Sequence, residues 1–305
     1  MNGHFALLNR LRDGSVMADF IREEIRKQEA GVRGEDRLVA RLKELRLQGE
    51  FRVFSDVCLV LDDWKVQIDC LVVTDRCCIV LESKNISGHL YFNEELDEFY
   101  KEENGVESPI SNPYFQLMRH VRFMKEFLRK THPLMKVTGA VIMTAKSHRI
   151  MQKPTHYPIY KLESMIERVT QIYNSSEGTS FSGKDIELVE KLLLEKRSDY
   201  EHPPLCEHYR IPPNEIRLGV ECPGCSELGM RRTGKTWICP HCKKRDRNAH
   251  KKAVDDYFLL INNKITNRDF RKFCMVESIY VASRMLGNMD LHMHKAGGKT
   301  YYTKK

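Results

Sequence analysis

The sequence predicts a mixed α/β domain over residues 1–198, followed by a small four-cysteine module and a short helical module. Three observations support this prediction: β-rich runs alternate with helical runs, two Cys-x-x-Cys pairs lie within residues 217–248, and helical periodicity resumes within residues 249–305. With 305 residues, of which 41% are hydrophobic, the chain can form one large core with small appended modules. Residues 199–216 hold four of the eleven prolines and are predicted to be a linker.

The first 90 residues predict two helices and three strands. A polar helix is predicted over residues 15–30, and the helical spacing of Leu38, Leu42 and Leu45 predicts a second helix over residues 35–48. The Gly-Val-Arg-Gly segment at 31–34 is expected to separate them. Glu35 lies three residues before Leu38 on the apolar stripe, so it is expected to face inward. Three β-rich runs follow at residues 51–61, 66–74 and 77–83. Both faces of the second and third runs are apolar, as in central strands that are covered by helices on each side.

The remainder of this domain continues the alternation. Residues 93–111 are polar and predict a hairpin and loop, after which Asn112 caps a helix that begins at Pro113 and runs to about Lys130. Strands are predicted over residues 136–146 and 157–161. Helices are predicted over residues 161–173 and 183–197, the latter capped by Ser182.

A turn at Asp75-Arg76 brings ionisable side chains of two strands together. A two-residue or four-residue turn centred there sets Asp69 opposite Glu82, and Lys84 shares the face of Glu82. Opposed carboxylates repel one another and are costly to bury, so a positive group is expected between them. Mg²⁺ takes oxygen ligands, commonly one or two carboxylates, and keeps waters that become nucleophiles. The pattern therefore predicts a magnesium site where Lys84 holds the attacking water or balances phosphate charge.

An alternative is that Glu82 and Lys84 face solvent at an edge and that Asp69 forms a structural salt bridge. Two further residues favour the polar site: Glu35 on its apolar stripe, and Gln116 near the start of the helix that Asn112 caps.

Several motifs resemble, in kind and order, those of the nuclease-related (NERD) domain. This family belongs to the PD-(D/E)xK, restriction-endonuclease-like superfamily, and the resemblance covers residues 31–145. The motifs are Gly34-Glu35, Ile68-Asp69, Glu82-Ser83-Lys84-Asn85 with Gly88, and Asn112-Pro113 with Gln116.

The resemblance implies a restriction-endonuclease-like mixed central sheet flanked by helices, and nuclease activity that depends on Mg²⁺ or Mn²⁺. It implies that Asp69 and Glu82 bind Mg²⁺, that Lys84 assists the water, and that Glu35 and Gln116 complete the catalytic set. The sequence departs from the family at Phe99-Tyr100, where a tryptophan is expected, and this puts the packing of that loop in doubt.

Two cysteine pairs predict a zinc ribbon. Cys222-Pro-Gly-Cys225 and Cys239-Pro-His-Cys242 are thirteen residues apart, which suits four thiolates around one Zn²⁺. A closed four-cysteine site has no open coordination position, so the zinc is expected to be structural. The alternatives are free or disulfide-bonded cysteines, or a ligand replaced by Cys206, His208 or His241.

The positive charge of the chain lies in its last third. Residues 201–305 hold 20 Lys and Arg against 11 Asp and Glu, whereas residues 1–200 hold 30 against 31. Such asymmetry predicts a nucleic-acid-binding region, with a merely soluble basic surface as the alternative. The candidate nucleic-acid-binding residues are Arg231, Arg232, Lys235, Lys243, Lys244, Arg245, Lys295 and Lys299.

Residues 249–305 predict helix, helix, turn, helix and a hairpin, the order of elements in a winged helix. The helix at 277–289 would then enter a major groove and the tip at 295–299 would contact the DNA backbone. The alternative is a helical module that binds protein or packs on the nuclease domain. In either case the core is expected to contain Phe270, Phe273, Ile279, Val281 and Leu286.

The sequence therefore favours a metal-dependent nuclease acting on DNA, in which the ribbon and basic tail position the nucleic acid. Two alternatives remain: a catalytically silent DNA-binding regulator, and a protein-interaction adaptor on a nuclease-like scaffold. No apolar run approaches the roughly 20 residues that span a bilayer, and the charged start is unlike a signal peptide. We therefore expect a cytoplasmic protein with no membrane partner.

Overall fold

The computed structural model describes residues 2–176, 180–198 and 203–305. The chain forms two compact units. The first combines residues 1–28 with residues 201–305, and the second contains residues 29–200. The predicted first domain began at residue 1, but Leu7, Leu11, Ile21 and Ile25 belong to the apolar core of the first unit. Residues 2–28 therefore pack with residues 203–305 and not with the rest of the predicted first domain.

The first helices are α1 (Asn2–Arg10) and α2 (Met17–Leu42). Two helices were predicted across residues 15–48, and this was wrong because α2 is continuous through Gly31 and Gly34. A Cβ atom at Gly34 would lie 2.6 Å from Thr144 Oγ1 and 2.9 Å from Asn85 Cβ. Gly34 therefore permits a close approach between α2 and the neighbouring chain and does not break the helix.

The second unit contains nine strands and three further helices among its described residues. The strands are β1 (Phe51–Leu61), β2 (Trp64–Thr74), β3 (Cys77–Lys84), β4 (Gly88–Asn93), β5 (Glu98–Glu103), β6 (Val106–Ile110), β7 (Lys136–Met143), β8 (His148–Gln152) and β9 (Ile159–Lys161). The helices are α3 (Pro113–Leu128), α4 (Met165–Asn174) and α5 (Gly183–Glu195).

A five-stranded mixed sheet forms the centre of this unit, in the order β1-β2-β3-β7-β9. The pairs β1–β2 and β2–β3 are antiparallel, whereas β3–β7 and β7–β9 are parallel. One face packs against α2 and α4 through Leu38 and Val169, and the other against α3 and α5 through Val121 and Ile186. The predicted mixed α/β architecture is confirmed.

The predicted helix caps are present in the second unit. The Asn112 side chain accepts a hydrogen bond from the Tyr114 backbone at 3.0 Å, and Pro113 occupies the first helical position of α3. Ser182 and Asp185 form a capping box at the start of α5.

Residues 88–110 form more regular structure than the predicted hairpin and loop. Strands β4, β5 and β6 join β8 in a second sheet, in the order β6-β5-β4-β8. Phe99 is buried and stacks on Phe92 with ring centroids 4.1 Å apart, and Tyr100 stacks on Tyr91 at 4.9 Å. The aromatic pair that departs from the family pattern is therefore part of a packed hairpin.

The first unit contains the cysteine pairs and the carboxyl-terminal helices. Its further helices are α6 (Leu205–His208), α7 (His250–Leu260), α8 (Asn267–Cys274) and α9 (Ile279–Gly287). Its strands are β10 (Arg231–Thr233), β11 (Thr236–Ile238), β12 (Arg245–Asp246), β13 (Ile265–Thr266), β14 (Leu291–Ala296) and β15 (Lys299–Lys304), in two sheets of order β10-β11-β12 and β13-β15-β14.

A buried ion pair joins α1 to α7 inside the first unit. Arg10 Nε donates to Asp256 Oδ2 at 2.8 Å, and Arg10 is fully buried. Its guanidinium also donates to the backbone carbonyls of Arg217 and Gly219 at 3.2 Å. A buried guanidinium without partners would be strongly destabilising. These contacts therefore stabilise the packing of α1 against α7 and residues 217–219.

Two expectations for the first unit differ from the structure. The segment predicted as a linker contains α6 and contributes Leu205, Cys206 and Ile211 to the apolar core. Ile279, expected in the core, is 56% exposed, because α9 packs through Ala282, Met285 and Leu286. Among the described residues no helix has the length and apolar character needed to cross a membrane.

Candidate functional site

The predicted register between β2 and β3 is confirmed. Cys70 of β2 pairs with Leu81 of β3, and continuing this register by one residue places Asp69 opposite Glu82. Asp69 Oδ2 accepts a hydrogen bond from the backbone N–H of Ser83 at 2.7 Å. Glu82 is 1% exposed, and Asp69 is partly buried. The two carboxylates therefore occupy adjoining strand positions at one end of the hairpin.

Lys84 joins the strand to the helix that covers it. Its Nζ atom donates to Glu82 Oε1 at 2.9 Å and to Gln116 Oε1 of α3 at 2.8 Å. The backbone carbonyl of Lys84 accepts from the Thr144 N–H at 2.9 Å, where the polypeptide leaves β7. The structure thus brings Glu82, Lys84 and Gln116 into direct contact.

His120 is a member of this group that the sequence analysis missed. Its Nδ1 atom lies 3.1 Å from Glu82 Oε2, and both side chains are 1% exposed. The contact lies outside hydrogen-bonding geometry, so Glu82 Oε2 and both ring nitrogens of His120 are buried without a hydrogen-bond partner. The available signal was the four-residue spacing of Gln116 and His120, which places them on the same face of a helix.

Glu35 lies nearby on α2 but does not join the contacts around Lys84. Within the described residues, no hydrogen bond or ion pair connects Glu35 to Asp69, Glu82 or Lys84. The oxygens of the three carboxylates do not all lie within 4.8 Å of one another. Burial raises the pKa of Glu35, followed by the negative charges of Asp56, Asp36 and Glu82. The negative charge of Glu82 therefore contributes to the raised pKa of Glu35, although no hydrogen bond or ion pair joins the two residues.

The Asn85 side chain connects the Glu82–Asn85 segment to α2. Its Oδ1 atom accepts from Arg37 Nη2 at 2.8 Å, and its Nδ2 atom donates to the backbone carbonyl of Ala30. These bonds hold the end of β3 against the helix turn that contains Gly34.

Asp56 is a second residue near the site that the sequence analysis missed, and it is acidic. It stands opposite Asp69 in the register of β1 and β2, with a left-handed φ of 49°. Its side chain is exposed and accepts from Gln67 Nε2 at 2.7 Å. The signal in the sequence was the polar pair Ser55-Asp56 in the middle of a largely apolar strand.

The two central carboxylates differ in their protonation. Burial, and then the charge of Glu82, raises the pKa of Asp69 to about 7, against an opposing hydrogen bond from Ser83. Burial also acts to raise the pKa of Glu82, but His120 and Lys84 outweigh it and the pKa is lowered. Glu82 is therefore ionised at neutral pH while Asp69 is about half protonated.

Substitution of Asp69 by asparagine tests this pKa difference. Because the folded pKa is raised above the unfolded value of 3.8, Asp69 disfavours the folded state increasingly as the pH rises from about 4 through 7. In EDTA at pH 8 we expect Asp69→Asn to raise the free energy of unfolding by on the order of 2 kcal/mol. A shift of this size implies roughly 4 kcal/mol for a fully buried group. We expect about half of that value because Asp69 is only partly buried and solvent screens its charge.

Urea unfolding of both proteins between pH 4 and pH 8 measures this difference. The gap should shrink to a small fraction of this value near pH 4, where the Asp69 carboxyl is neutral in the folded protein. A gap that is independent of pH would contradict the raised pKa of Asp69.

The four predicted zinc ligands come together in the first unit. The sulfur atoms of Cys222, Cys225, Cys239 and Cys242 all lie within 4.8 Å of one another, a cluster that fits a zinc ribbon. The Gly224 and Cys242 N–H groups donate to the sulfurs of Cys222 and Cys239. The hydrogen bond from Cys242 lowers the pKa of Cys239, which favours the thiolate that binds metal.

The disulfide-bonded alternative is not observed, because none of the ten cysteines of the chain forms a disulfide. Cys206, His208 and His241 do not belong to the cluster. Among the described residues, no other group of three or more potential metal ligands is as compact.

The candidate nucleic-acid-binding residues carry unneutralised charge. Arg231 and Lys235 are exposed on the hairpin of β10 and β11, and the Arg232 guanidinium lies over the Trp237 ring at 5.7 Å. Burial, and then the neighbouring Arg284, lowers the pKa of Arg232. Within the described part of the chain, no carboxylate lies within salt-bridge distance of Arg231, Arg232, Lys235, Lys243, Lys244, Arg245, Lys295 or Lys299.

The mixed sheet, with an Asp on β2 and a Glu-x-Lys motif at the end of β3, has the features of the restriction-endonuclease-like fold. Residues 30–144 match the family model of the nuclease-related domain, NERD. This match confirms the resemblance predicted for residues 31–145. No curated protein and no solved structure matches the chain.

Proposed function

We propose that this protein is a metal-dependent nuclease that hydrolyses phosphodiester bonds in DNA. The observation that carries the proposal is the position of Lys84, whose Nζ contacts both Glu82 and Gln116. Glu82 adjoins Asp69, whose pKa is raised to about 7. A cation fixed beside buried carboxylates is an arrangement suited to stabilising charge on a phosphate and its attacking water.

The residues present fit a divalent metal ion. Glu82 Oε2 is buried without a hydrogen bond, although His120 Nδ1 lies 3.1 Å away, and burial followed by the charge of Glu82 raises the pKa of Asp69. Oxygen donors of this kind suit Mg²⁺ or Mn²⁺. Asp69 and Glu82 would hold the ion, which when bound supplies charge stabilisation and lowers the pKa of a bound water.

The residues around the metal ligands have separate roles in this proposal. Gln116 accepts a hydrogen bond from Lys84 and thereby orients its ammonium group. Lys84 then positions the attacking water or neutralises the phosphate. His120 packs against Glu82 and limits its side-chain freedom. Glu35, with its raised pKa, completes the acidic edge of the site.

The first unit supplies features suited to nucleic-acid binding. The four-cysteine cluster would hold one structural Zn²⁺ and so fix the hairpin that displays Arg231, Arg232 and Lys235. Helices α7, α8 and α9 followed by the β14–β15 hairpin have the order of a winged helix, and Lys295 and Lys299 flank its tip. Unpaired cations at these positions support phosphate contacts that give affinity without reading sequence.

The test is a cleavage assay over single-stranded and duplex DNA, with RNA for comparison, in Mg²⁺, Mn²⁺ or EDTA. We expect cleavage of DNA with metal and none in EDTA. Lys84→Ala should lower the rate by at least about 100-fold, because it removes charge stabilisation at the reacting phosphate. Lys125→Ala, an exposed lysine on α3, is the matched control and should cleave at the wild-type rate.

Metal-independent cleavage, or full activity of Lys84→Ala, would refute the proposal. Tight, salt-dependent DNA binding without cleavage would instead support a DNA-binding regulator on a nuclease-like scaffold. Weak DNA binding with little salt dependence would support the adaptor alternative.

A further inference from the structure

An open cleft in the second unit begins at the proposed catalytic residues. It has a volume of about 590 Å³. Lys84 and Gln116 form one part of its lining, so a molecule in the cleft lies against the group that would act on phosphate. Its remaining lining is formed by Ile86, Ile110, Ser111, Asn112, Pro113, Phe115 and Arg119.

The exposed face of α3 gives this cleft an aromatic side chain and a cation. Phe115 is 47% exposed, which is unusual for a phenylalanine on a helix that packs against a sheet. Arg119 follows four residues later, so the two side chains neighbour one another on the helix surface. Arg119 is exposed and, within the described residues, has no carboxylate partner.

The lining combines three kinds of contact. Ile86 and Ile110 add partly buried apolar surface, and Ser111 and Asn112 add hydrogen-bonding groups. An aromatic face stacks on a nucleobase of any type, and an unpaired arginine binds phosphate through a planar fork of donors. Stacking and phosphate binding side by side are the features of a nucleotide subsite on a single strand.

The volume of the cleft suits a single nucleotide and is too small for a double helix. Pockets of roughly 300–1,000 Å³ bury a small ligand, whereas a duplex needs a surface that follows its grooves. A base that remains paired presents only its edge, so stacking on Phe115 requires a base that is out of the duplex.

We propose that this cleft binds one unpaired nucleotide of the DNA strand being cut, with its base on Phe115 and its phosphate on Arg119. The inference rests on the proposed nuclease function and adds its substrate class: single-stranded DNA, or duplex ends whose strands have separated. Phe115 and Arg119 are binding residues that position the strand toward Lys84.

The binding test uses the full chain in EDTA, so that no cleavage occurs, and a short single-stranded oligonucleotide that carries the fluorescent base 2-aminopurine. Stacking on an aromatic ring quenches this fluorescence, so the quench reports the subsite and not phosphate contacts elsewhere. We expect Phe115→Ala to abolish the quench and Phe115→Trp to retain it. Arg119→Ala should weaken the quench-detected affinity at least about fivefold.

Two control variants match these substitutions. Arg122→Ala removes an exposed arginine of the same helix that is not part of the cleft, and Leu134→Ala removes an apolar side chain that is 71% exposed. Both should quench as the wild type does. Duplex of the same sequence should produce no quench with any of these proteins.

Cleavage measurements separate this inference from the function on which it rests. If the wild type cleaves with Mg²⁺, Phe115→Ala should raise KM for single strands at least about fivefold and change kcat by less than about twofold. Cleavage with no effect of Phe115→Ala on KM or quench would refute the subsite and leave the nuclease intact. A quench that depends on Phe115 without any cleavage would refute the nuclease and support the subsite.

Discussion

Replacing Glu82 by glutamine is expected to lower metal-dependent cleavage by at least about 1,000-fold. Glutamine has nearly the same volume, so the packing against His120 and the hydrogen bond from Lys84 can be retained. The substitution removes only the negative charge that a metal ion and Lys84 both require. Loss of a metal ligand and of its charge removes several kcal/mol of transition-state stabilisation.

Cleavage of a labelled DNA strand with saturating Mg²⁺ measures this loss, and thermal unfolding establishes that the variant is folded. Glu98→Gln, an exposed glutamate on β5 of the same unit, is the matched control and should cleave normally. We also expect isothermal titration to detect weaker Mn²⁺ binding by Glu82→Gln. A folded Glu82→Gln protein with wild-type cleavage would show that the reaction does not use this carboxylate.

Removal of metal from the cysteine cluster is expected to unfold the first unit. Cys222 and Cys239 are almost fully buried and lie in the same apolar core as Trp237, Phe270 and α1 residues. Structural zinc sites contribute on the order of 10 kcal/mol to folding, which is comparable with the whole stability of a typical domain. Chelation, or Cys239→Ser, is therefore expected to remove most of the free energy that keeps the unit folded.

The two tryptophans allow this unfolding to be assigned to one unit. Trp237 lies in the first unit and Trp64 lies in β2 of the second. In a Trp64→Phe background, a strong chelator should shift the Trp237 emission to that of an exposed indole. Cys206→Ser, at a buried cysteine of the same core outside the cluster, should leave the emission unchanged before chelation. Emission that is insensitive to chelator in a metal-loaded protein would contradict a structural metal site.

Local patterns predicted a large part of the candidate site. The turn residues Asp75 and Arg76 were enough to predict the register of β2 and β3, because the position of a hairpin turn determines which residues of the two strands are opposed. Asn112 and Pro113 sufficed for the start of α3, and so placed Gln116 in its first turns. In each case the controlling interactions lie within a few residues along the chain.

Other features of the site depended on residues that are distant in sequence. His120 was missed because its role depends on Glu82, which a different element supplies. The two glycines of α2 were interpreted as a helix break because Gly usually weakens helices, whereas Gly34 packs against Asn85 and Thr144. Asp56 was missed because its position opposite Asp69 follows from the pairing of β1 with β2.

The sequence by itself determined the strands of the central sheet, the helix caps and the hairpin register of β2 and β3, because each is set by steric and hydrogen-bonding preferences within a short stretch of chain. Only the tertiary structure shows that residues 2–28 pack with the carboxyl-terminal residues, for example through the buried ion pair of Arg10 and Asp256. It also decided that Glu82 lies between Lys84 and His120. Burial and charge pairing between distant residues are properties of the folded chain, and local periodicity carries no information about the partner.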